Sequence, residues 1–170
     1  SFSLASDSPL SLANYAFVNG NTTLVSDRQT AGAGLTHSFT SPFTITGPQQ
    51  VKIVAGPNVT SGTAGIGLGA TVLVASGASF DVGTGASLSL GAISGNFNLF
   101  KTGSGLLTLN GASTRAGGST YFQAGSLVQA NAAGLGTSAT SLVVVPNGLS
   151  VDFATDTSTN AYPVTLLGDT

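Results

Sequence analysis

The sequence contains no cysteine, methionine or tryptophan, and it carries little charge of either sign. Without cysteine, the chain can form neither a disulfide nor a thiolate metal site. Charged residues make up 6% of the chain, whereas an ordinary soluble domain has about 25%. All six acidic residues are aspartate, and the formal net charge is −2. Because charge this sparse creates no strong field, we expect neither nucleic acid nor anionic lipid as a partner.

Long apolar runs and strong helix formers are also missing. No run reaches the roughly 18 apolar residues that a spanning helix needs, so membrane insertion is not expected. Glutamate is absent and lysine and arginine are rare, whereas valine, threonine and phenylalanine are common. This balance favours strands. At 170 residues and 41% hydrophobic content, the chain can bury a sizeable core in one all-β domain.

Three consecutive eight-residue blocks begin at Gly69, Gly77 and Gly85. Each block reads as a small-residue turn followed by a short strand with an apolar residue at every second position. Because strand side chains alternate between faces, one row should point inward and leave Asp81 and Ser89 outward. The predicted inward pairs are Val72 and Val74, Phe80 and Val82, and Leu88 and Leu90. Three such faces would make a turn of about 24 residues, which predicts a parallel β-helix.

The repeats divide the chain into two regions. Residues 61–170 are predicted to be β-helix repeats, with strands around 106–109, 126–129, 142–145, 149–153 and 164–167. Residues 1–60 follow the pattern less closely and are interpreted as an irregular β cap or as degenerate turns, with strands at 22–25, 35–39, 43–46 and 51–54. The alternative fold is an antiparallel β-sandwich, because hairpin-type Asn-Gly pairs occur at Asn19, Asn110 and Asn147.

The segment from Leu99 to Ala130 reads LFKTGSGLLTLNGASTRAGGSTYFQAGSLVQA. It resembles the passenger-associated repeat of bacterial autotransporter proteins. The matching positions are Lys101, Gly103, Gly105, Leu107, Thr108, Leu109, Gly111, Gly117, Gly118, Thr120, Gly125 and Leu127. Leu106, Ser113 and Arg115 depart from the usual residues. The resemblance implies a right-handed parallel β-helix that is secreted or held at the bacterial cell surface, with a repeat that has a structural role and no catalytic residue.

Candidate catalytic residues are few. His37 is the only imidazole, with Asp27 and Ser38 nearby in sequence, but no G-x-S-x-G motif accompanies it. We therefore expect His37 at the surface or in a loop. Glycoside hydrolysis needs two carboxylates facing a cleft, whereas Asp81 and Asp152 alternate with predicted core positions and should be outward and solvated. No catalytic residue is predicted, and a β-helical polysaccharide-active enzyme is the least favoured interpretation.

Metal and cofactor sites are not predicted either. A single histidine without cysteine does not make a typical zinc site. The calcium-binding nonapeptide and the phosphate-binding glycine motifs are absent, although Asp152 and Asp156 could supply two carboxylates from one loop. An ice-binding face would need a recurring T-x-T array, and Thr44-Ile45-Thr46 does not recur. Contact with a surface carbohydrate is kept as an alternative function.

Self-association follows from the predicted ladder. The end of a β-helix exposes unpaired backbone groups over an apolar core, and low charge removes the usual repulsion between edges. Phe2 and Leu4 at one end, and Val164 and Leu166 at the other, could complete a neighbour's sheet. The sequence is therefore interpreted as a non-catalytic extracellular structural protein, a β-helical subunit or segment of a bacterial surface fibre or adhesin that forms homo-oligomers or filaments. The alternative is a carbohydrate- or surface-binding autotransporter passenger fragment.

Overall fold

The computed structural model describes residues 1–145, 149–155 and 162–167. These residues form twenty-one strands and no helix, and accordingly they include no helix able to cross a membrane. The strands are β1 (Phe2–Ala5), β2 (Ser11–Leu12), β3 (Ala16–Val18), β4 (Thr22–Asp27), β5 (Gly32–Ala33), β6 (Thr36–Phe39), β7 (Phe43–Ile45), β8 (Gln50–Ala55), β9 (Val59–Ser61), β10 (Ala64–Leu68), β11 (Thr71–Leu73), β12 (Ala78–Val82), β13 (Ala86–Leu90), β14 (Ile93–Ser94), β15 (Leu99–Thr102), β16 (Leu106–Leu109), β17 (Ser119–Phe122), β18 (Ser126–Gln129), β19 (Ser141–Val144), β20 (Ser150–Asp152) and β21 (Val164–Leu166).

The strands stack into three main sheets. Sheet 1 has the order β1-β4-β8-β12-β15-β17-β19-β21, sheet 2 has the order β2-β6-β10-β13-β16-β18-β20, and sheet 3 has the order β3-β7-β11-β14. A fourth sheet contains only β5 and β9. Every strand pair in the described part of the chain is parallel. The chain is therefore a parallel β-helix, and the antiparallel sandwich is wrong.

The three predicted octads lie on three successive faces. Their strands are β11 in sheet 3, β12 in sheet 1 and β13 in sheet 2. In β12 and β13 the inward residues are the predicted ones, because Phe80, Val82, Leu88 and Leu90 are all fully buried. The prediction that one short strand supplies each face is therefore confirmed.

The predicted orientation of the first octad is wrong. In β11 the buried residues are Thr71 and Leu73, whereas Val72 is half-buried and Val74 is 49% exposed. The cause is the length of the corners, since the corner between β10 and β11 is shorter than the corner between β11 and β12. A shift of one residue reverses which face a strand side chain occupies, so aligned octads need not share the same inward positions.

The first sixty residues add rungs to the same sheets. β1, β4 and β8 lie in sheet 1, and β2 and β6 lie in sheet 2. Their turns are longer than those that follow. Leu24 is in register with Ile53, whereas Leu107 is in register with Leu127, and the second pair is closer in sequence. The extra residues form the corners that made this region look irregular in sequence.

The core is a set of columns that run along the helix axis. One column in sheet 2 places Ile66, Leu88, Leu107 and Leu127 over one another in consecutive rungs. All four side chains are buried. Because each inward residue is covered by the rung above and the rung below, only the first and last rungs present core-facing side chains to solvent.

Candidate self-association surfaces

In the described residues, the first strands of the three main sheets are β1, β2 and β3, and each of them pairs with one other strand. Between them lies a cavity of about 440 Å³. Its lining is mainly apolar and consists of Phe2, Leu12, Asn14, Tyr15, Ala16, Phe17, Val18, Thr22, Leu24, Phe39 and Phe43. Phe17 and Tyr15 are 65% and 70% exposed, so this end carries large aromatic surfaces in contact with water.

Phe2 and Leu4 belong to the core-facing side of the first strand. Phe2 is in register with Leu24, and its ring centroid lies 6.2 Å from that of Phe39. Leu4 is 4% exposed, but Phe2 is 48% exposed. Phe2 thus faces the core, and among the described residues its strand pairs only with β4.

The C-terminal end has the same character. β21 is the last strand of sheet 1, where Val164 is in register with Leu142 and Leu166 with Val144. Both partners are buried core residues, whereas Val164 is 45% and Leu166 is 75% exposed. Val164 and Leu166 therefore continue the core columns and are uncovered on their outer side.

These two ends are complementary. The four predicted self-association residues lie on the two opposite edges of one sheet, and all four occupy core-facing positions. Because every rung runs parallel, β21 of one copy could pair with β1 of a second copy as just another rung. Pairing Val164 with Phe2 and Leu166 with Leu4 would keep every core-facing side chain facing the core.

The residues of the repeat motif are structural. Leu107, Leu109 and Leu127 are buried in sheet 2. The motif glycines, Gly103, Gly105, Gly111, Gly117, Gly118 and Gly125, lie at or beside corners. At Gly103 the backbone φ is +73°, and a Cβ there would lie 2.3 Å from the carbonyl oxygen of Val82. Gly125, with φ +85°, packs in turn against the carbonyl of Gly103. Successive corners therefore stack backbone on backbone, which only glycine allows.

Lys101, the first motif residue, is fully buried in sheet 1. It occupies a core position in register between Phe80 and Phe122, and its Nζ lies 5.9 Å from the Phe122 ring centroid. Nζ donates to the carbonyl oxygens of Thr102 at 2.7 Å, Gly103 at 2.8 Å and Ala124 at 3.0 Å. Burial lowers the pKa of Lys101 to about 8, against the opposing effect of Asp81. The amine thus binds two stacked corners together.

Arg115 has a comparable role that the sequence did not reveal. It is the largest fully buried side chain. Its guanidinium donates to Thr120 Oγ1 at 2.7 Å and to the carbonyl of Phe97 at 2.7 Å, with longer bonds to the carbonyls of Leu135 and Ser119. Burial lowers the pKa of Arg115 to about 10. The only sequence signal was its departure from the repeat motif.

His37 is not at the surface, and that expectation is wrong. It lies in β6 with no exposed area. Its Nε2 donates to the backbone oxygen of Asp27 at 2.9 Å, while the Asp27 carboxylate accepts the amide N–H of Asn58 at 3.0 Å. Ser38 is the next residue along the strand and points to the opposite face. These three residues are therefore not arranged as a nucleophile, base and carboxylate.

Asp81 and Asp152, the candidate carboxylates that the structure describes, do not form a paired site either. Asp81 is half-buried on the outer side of sheet 1, 3.7 Å from Lys52. Asp152 is exposed at the end of β20, and Asp156 lies outside the described residues. Within the described ranges, no group of three or more histidine, cysteine or acidic residues could hold a metal ion.

Comparisons with known proteins give no relative. No protein-family model, no curated protein and no solved structure matches this chain.

Proposed function

We propose that this chain is a non-catalytic extracellular structural protein whose copies associate end to end into a fibre at or outside a bacterial surface. The observation that carries the proposal is the pair of open ends, at which apolar, core-facing side chains of sheet 1 are exposed. Supporting it, the resemblance of residues 99–130 to the autotransporter passenger repeat favours secretion and a scaffold role.

The geometry supports a head-to-tail contact. A contact between two different surfaces of the same molecule generates an open filament rather than a closed dimer when its rotation does not close a ring. The rungs of a β-helix continue along one axis, so a second copy stacked on β21 would extend that axis by about 4.8 Å per rung. Two of the charged side chains that the structure describes near the ends do not oppose this contact: Asp7 is paired with Arg28 at the first end, and Asp152 points outward at the last.

Self-association can be tested with a matched pair of substitutions. Val164 and Val74 are 45% and 49% exposed, but Val164 faces the axis at an end whereas Val74 lies at a corner in the middle of the solenoid. We expect Val164→Asp to abolish filaments seen by electron microscopy and to leave monomers in sedimentation velocity. Val74→Asp should assemble like the wild type.

Mixing two defective chains tests the direction of the contact. Phe2→Asp blocks the first end and leaves the last end intact, while Val164→Asp does the reverse. Each variant alone should be monomeric, and an equimolar mixture should form a heterodimer that grows no further. Wild-type chains that stay monomeric at high concentration would reject the proposal and favour a passenger segment whose ends are covered by further turns of a longer chain.

Carbohydrate binding is the second candidate function, and one feature of sheet 1 favours it. The rings of Phe100 and Tyr121 stack on the outer face, with centroids 4.8 Å apart and planes 11° apart. Both side chains are partly exposed, and Ser79 lies beside Phe100 on the same face. An aromatic surface next to a hydroxyl group offers both apolar contact and a hydrogen bond to a neutral sugar.

The two functions are separable by experiment. Replacing Phe100 and Tyr121 together by serine should abolish retention on a polysaccharide column if this face binds sugar, and it should leave filament assembly unchanged. Equal retention of the variant and the wild type would reject the outer face of sheet 1 as the binding surface.

A further inference from the structure

The segment that links β1 to β2 is held to the second turn by backbone hydrogen bonds, from the Ser6 N–H to the Asp27 oxygen at 3.3 Å and from the Ser38 N–H to the Leu10 oxygen at 2.8 Å, and by two contacts that involve side chains. At the start of this segment, Asp7 accepts the amide N–H groups of Gln29 at 3.2 Å and Thr30 at 3.0 Å, and its second oxygen accepts the Thr30 hydroxyl at 2.9 Å. At the end of the segment, the Leu10 amide donates to His37 Nδ1 at 3.0 Å. The first contact joins the segment to a corner, whereas the second joins it to a core side chain.

The hydrogen bonds of His37 define its protonation state. Nδ1 accepts the Leu10 N–H, so it carries no proton. Nε2 faces the backbone oxygen of Asp27 at 2.9 Å, so it carries the proton of a neutral imidazole. The ring has no exposed area. Both nitrogens are therefore committed to backbone groups from two different turns, and the closed arrangement requires the Nε2–H tautomer.

A second proton on this ring would break the contact. Protonated Nδ1 would point an N–H at the Leu10 N–H, so two donors would face each other and a buried cation would lack an acceptor.

The surrounding charged groups do not offset the free-energy cost of a buried imidazolium. Strands β2 and β10, which flank β6, carry no titratable residue. Neither nitrogen is bonded to a carboxylate: Asp27 contributes its backbone oxygen, and Asp7 lies 3.4 Å from Arg28. Lys52 on β8 points outward towards Asp81.

We propose that His37 is an acid-sensitive latch, whose protonation breaks its hydrogen bond with the Leu10 N–H and thereby loosens the segment that links β1 to β2, which the backbone bonds of Ser6 and of the Leu10 carbonyl still hold in place. The first turn forms the open N-terminal end, so acid would also weaken end-to-end association, a consequence that rests on the proposed function. The latch itself is a property of the single chain.

The contact between Asp7 and the corner at Thr30 survives mild acid. The backbone N–H of Thr30, with its hydroxyl, lowers the pKa of Asp7 below the ordinary value of 3.8. At about pH 5 the Asp7 carboxylate stays ionised and keeps the start of the segment in place. Acid of this strength should therefore loosen the Leu10 side of the segment selectively and leave the β1 side attached.

The direction of the effect follows from proton linkage. The closed arrangement has no place for a second proton on the imidazole, so a fall in pH favours the open state, by at most about tenfold per pH unit for the uptake of one proton. The protection of the Leu10 amide against hydrogen exchange should therefore be lower at about pH 5 than at about pH 7.5, by no more than that factor per unit.

Nuclear magnetic resonance on the wild-type chain and on His37→Gln tests the latch. Glutamine can accept the Leu10 N–H and donate to Asp27, but it does not titrate. We expect imidazole nitrogen shifts of the Nε2–H tautomer at neutral pH, and a fall in Leu10 protection at about pH 5 in the wild type only. The Gln123 amide, which donates to Lys101 in another part of the solenoid, is the internal reference and should not change.

Three results would overturn the latch: an Nδ1–H tautomer, Leu10 protection that is independent of pH in the wild type, or an equal fall in His37→Gln. If His37→Gln does not fold, the tautomer and the Leu10 to Gln123 comparison in the wild type still decide the question. Filaments that shorten in acid for the wild type alone would support the link to assembly. Filaments that persist in acid while Leu10 loosens would reject that link, and an absence of filaments at any pH would reject the proposed function only.

Discussion

The solenoid has two regions that build the third side of their turns differently. Up to β14, that side is sheet 3, whose inward residues include Phe43, Leu73 and Ile93. After β14, sheet 3 has no further strand in the described residues, and the same side is formed by loops. The buried groups there include Ser113 and Arg115. One region thus has an apolar third wall made of strands, and the other has a polar wall made of loops.

Turn length does not account for this difference. The register step from Phe43 to Thr71 is longer than the step from Thr71 to Ile93, but the latter still includes a strand of sheet 3 and is about as long as the step from Leu99 to Thr120. Each turn of the second region consists of two strands and a connecting loop. A buried loop loses the regular ladder that satisfies its carbonyl groups, so side chains must donate to them. Arg115 donates to three such carbonyls, and the hydroxyl of Ser113 donates to that of Gly134 at 2.6 Å.

The largest predicted effect tests what the two regions share. The column containing Leu107 runs through both regions, so a charge there should unfold the chain as a whole. Leu107→Asp buries an unpaired carboxylate and should lower the free energy of unfolding by about 4 kcal/mol or more. Leu106, the preceding residue, is half-buried on the outer side, and Leu106→Asp should cost about 1 kcal/mol or less. Thermal unfolding of both variants checks this prediction. Equal losses of melting temperature would show that Leu107 does not face the core.

The second prediction addresses the polar wall. Arg115→Ala leaves a cavity and several carbonyls without a donor, and it should lower the free energy of unfolding by about 3 kcal/mol. Exchange of amides in the loop after β16 should rise most, because only this region depends on the guanidinium. Arg115→Lys keeps the charge but not the planar fork, so it should recover less than half of the loss. Chemical denaturation measures the free energy of unfolding. A uniform rise of hydrogen exchange along the chain would show that Arg115 does not stabilise the loop-built wall specifically.

The third prediction addresses the apolar wall. Leu73→Ala removes a fully covered side chain of β11 and should cost about 2 to 3 kcal/mol. Val72→Ala, on the outer side of the same strand, should cost less than about 1 kcal/mol. Chemical denaturation of both variants checks this prediction. An equal fall of the two midpoints would show that Val72 faces the core, as the aligned octads predicted.

Regular strands were predictable from the sequence because alternation and turn residues are local signals. The parallel β-helix, the three octad strands and the inward rows of β12 and β13 depend on these signals alone. The orientation of Val72 was not predictable, since four consecutive strand-forming residues fit either face and the corner length decides between them. The strands of the first sixty residues were harder to recognise as repeats for the same reason. Longer corners changed the spacing between strands along the sequence, although the strands occupy the same sheets.

The candidate site was predictable only in part. The core-facing positions of Phe2, Leu4, Val164 and Leu166 could be predicted because apolar residues at every second position of a strand face the core. The burial of His37, Lys101 and Arg115 could not be read from composition, which favours polar residues at the surface. Their side chains are buried because backbone groups of the corners and loops point inward and form hydrogen bonds with them. The positions of these backbone groups depend on how the turns stack, which the sequence does not show.

The smallest predicted effect concerns Lys101 on β15, in the region whose third wall is made of loops. Burial lowers its pKa to about 8 from the ordinary 10.5. Between these values the unfolded chain binds more protons than the native chain, so the free energy of unfolding should rise as the pH increases from about 8 to about 10. Above this window Tyr162 acts in the opposite direction, because burial raises its pKa to about 12 and the native chain then holds the extra proton.

Lys101→Met separates the amine from the rest of the chain. Methionine fills a similar volume beside Phe122 and does not titrate, so its free energy of unfolding should be flat over the same pH range. Denaturation at several pH values checks both chains, and an equal slope in the variant would assign the dependence to another group. A steeper rise in the wild type alone would show that the native chain holds the Lys101 cation at the cost of its desolvation, in the region whose third wall is made of loops.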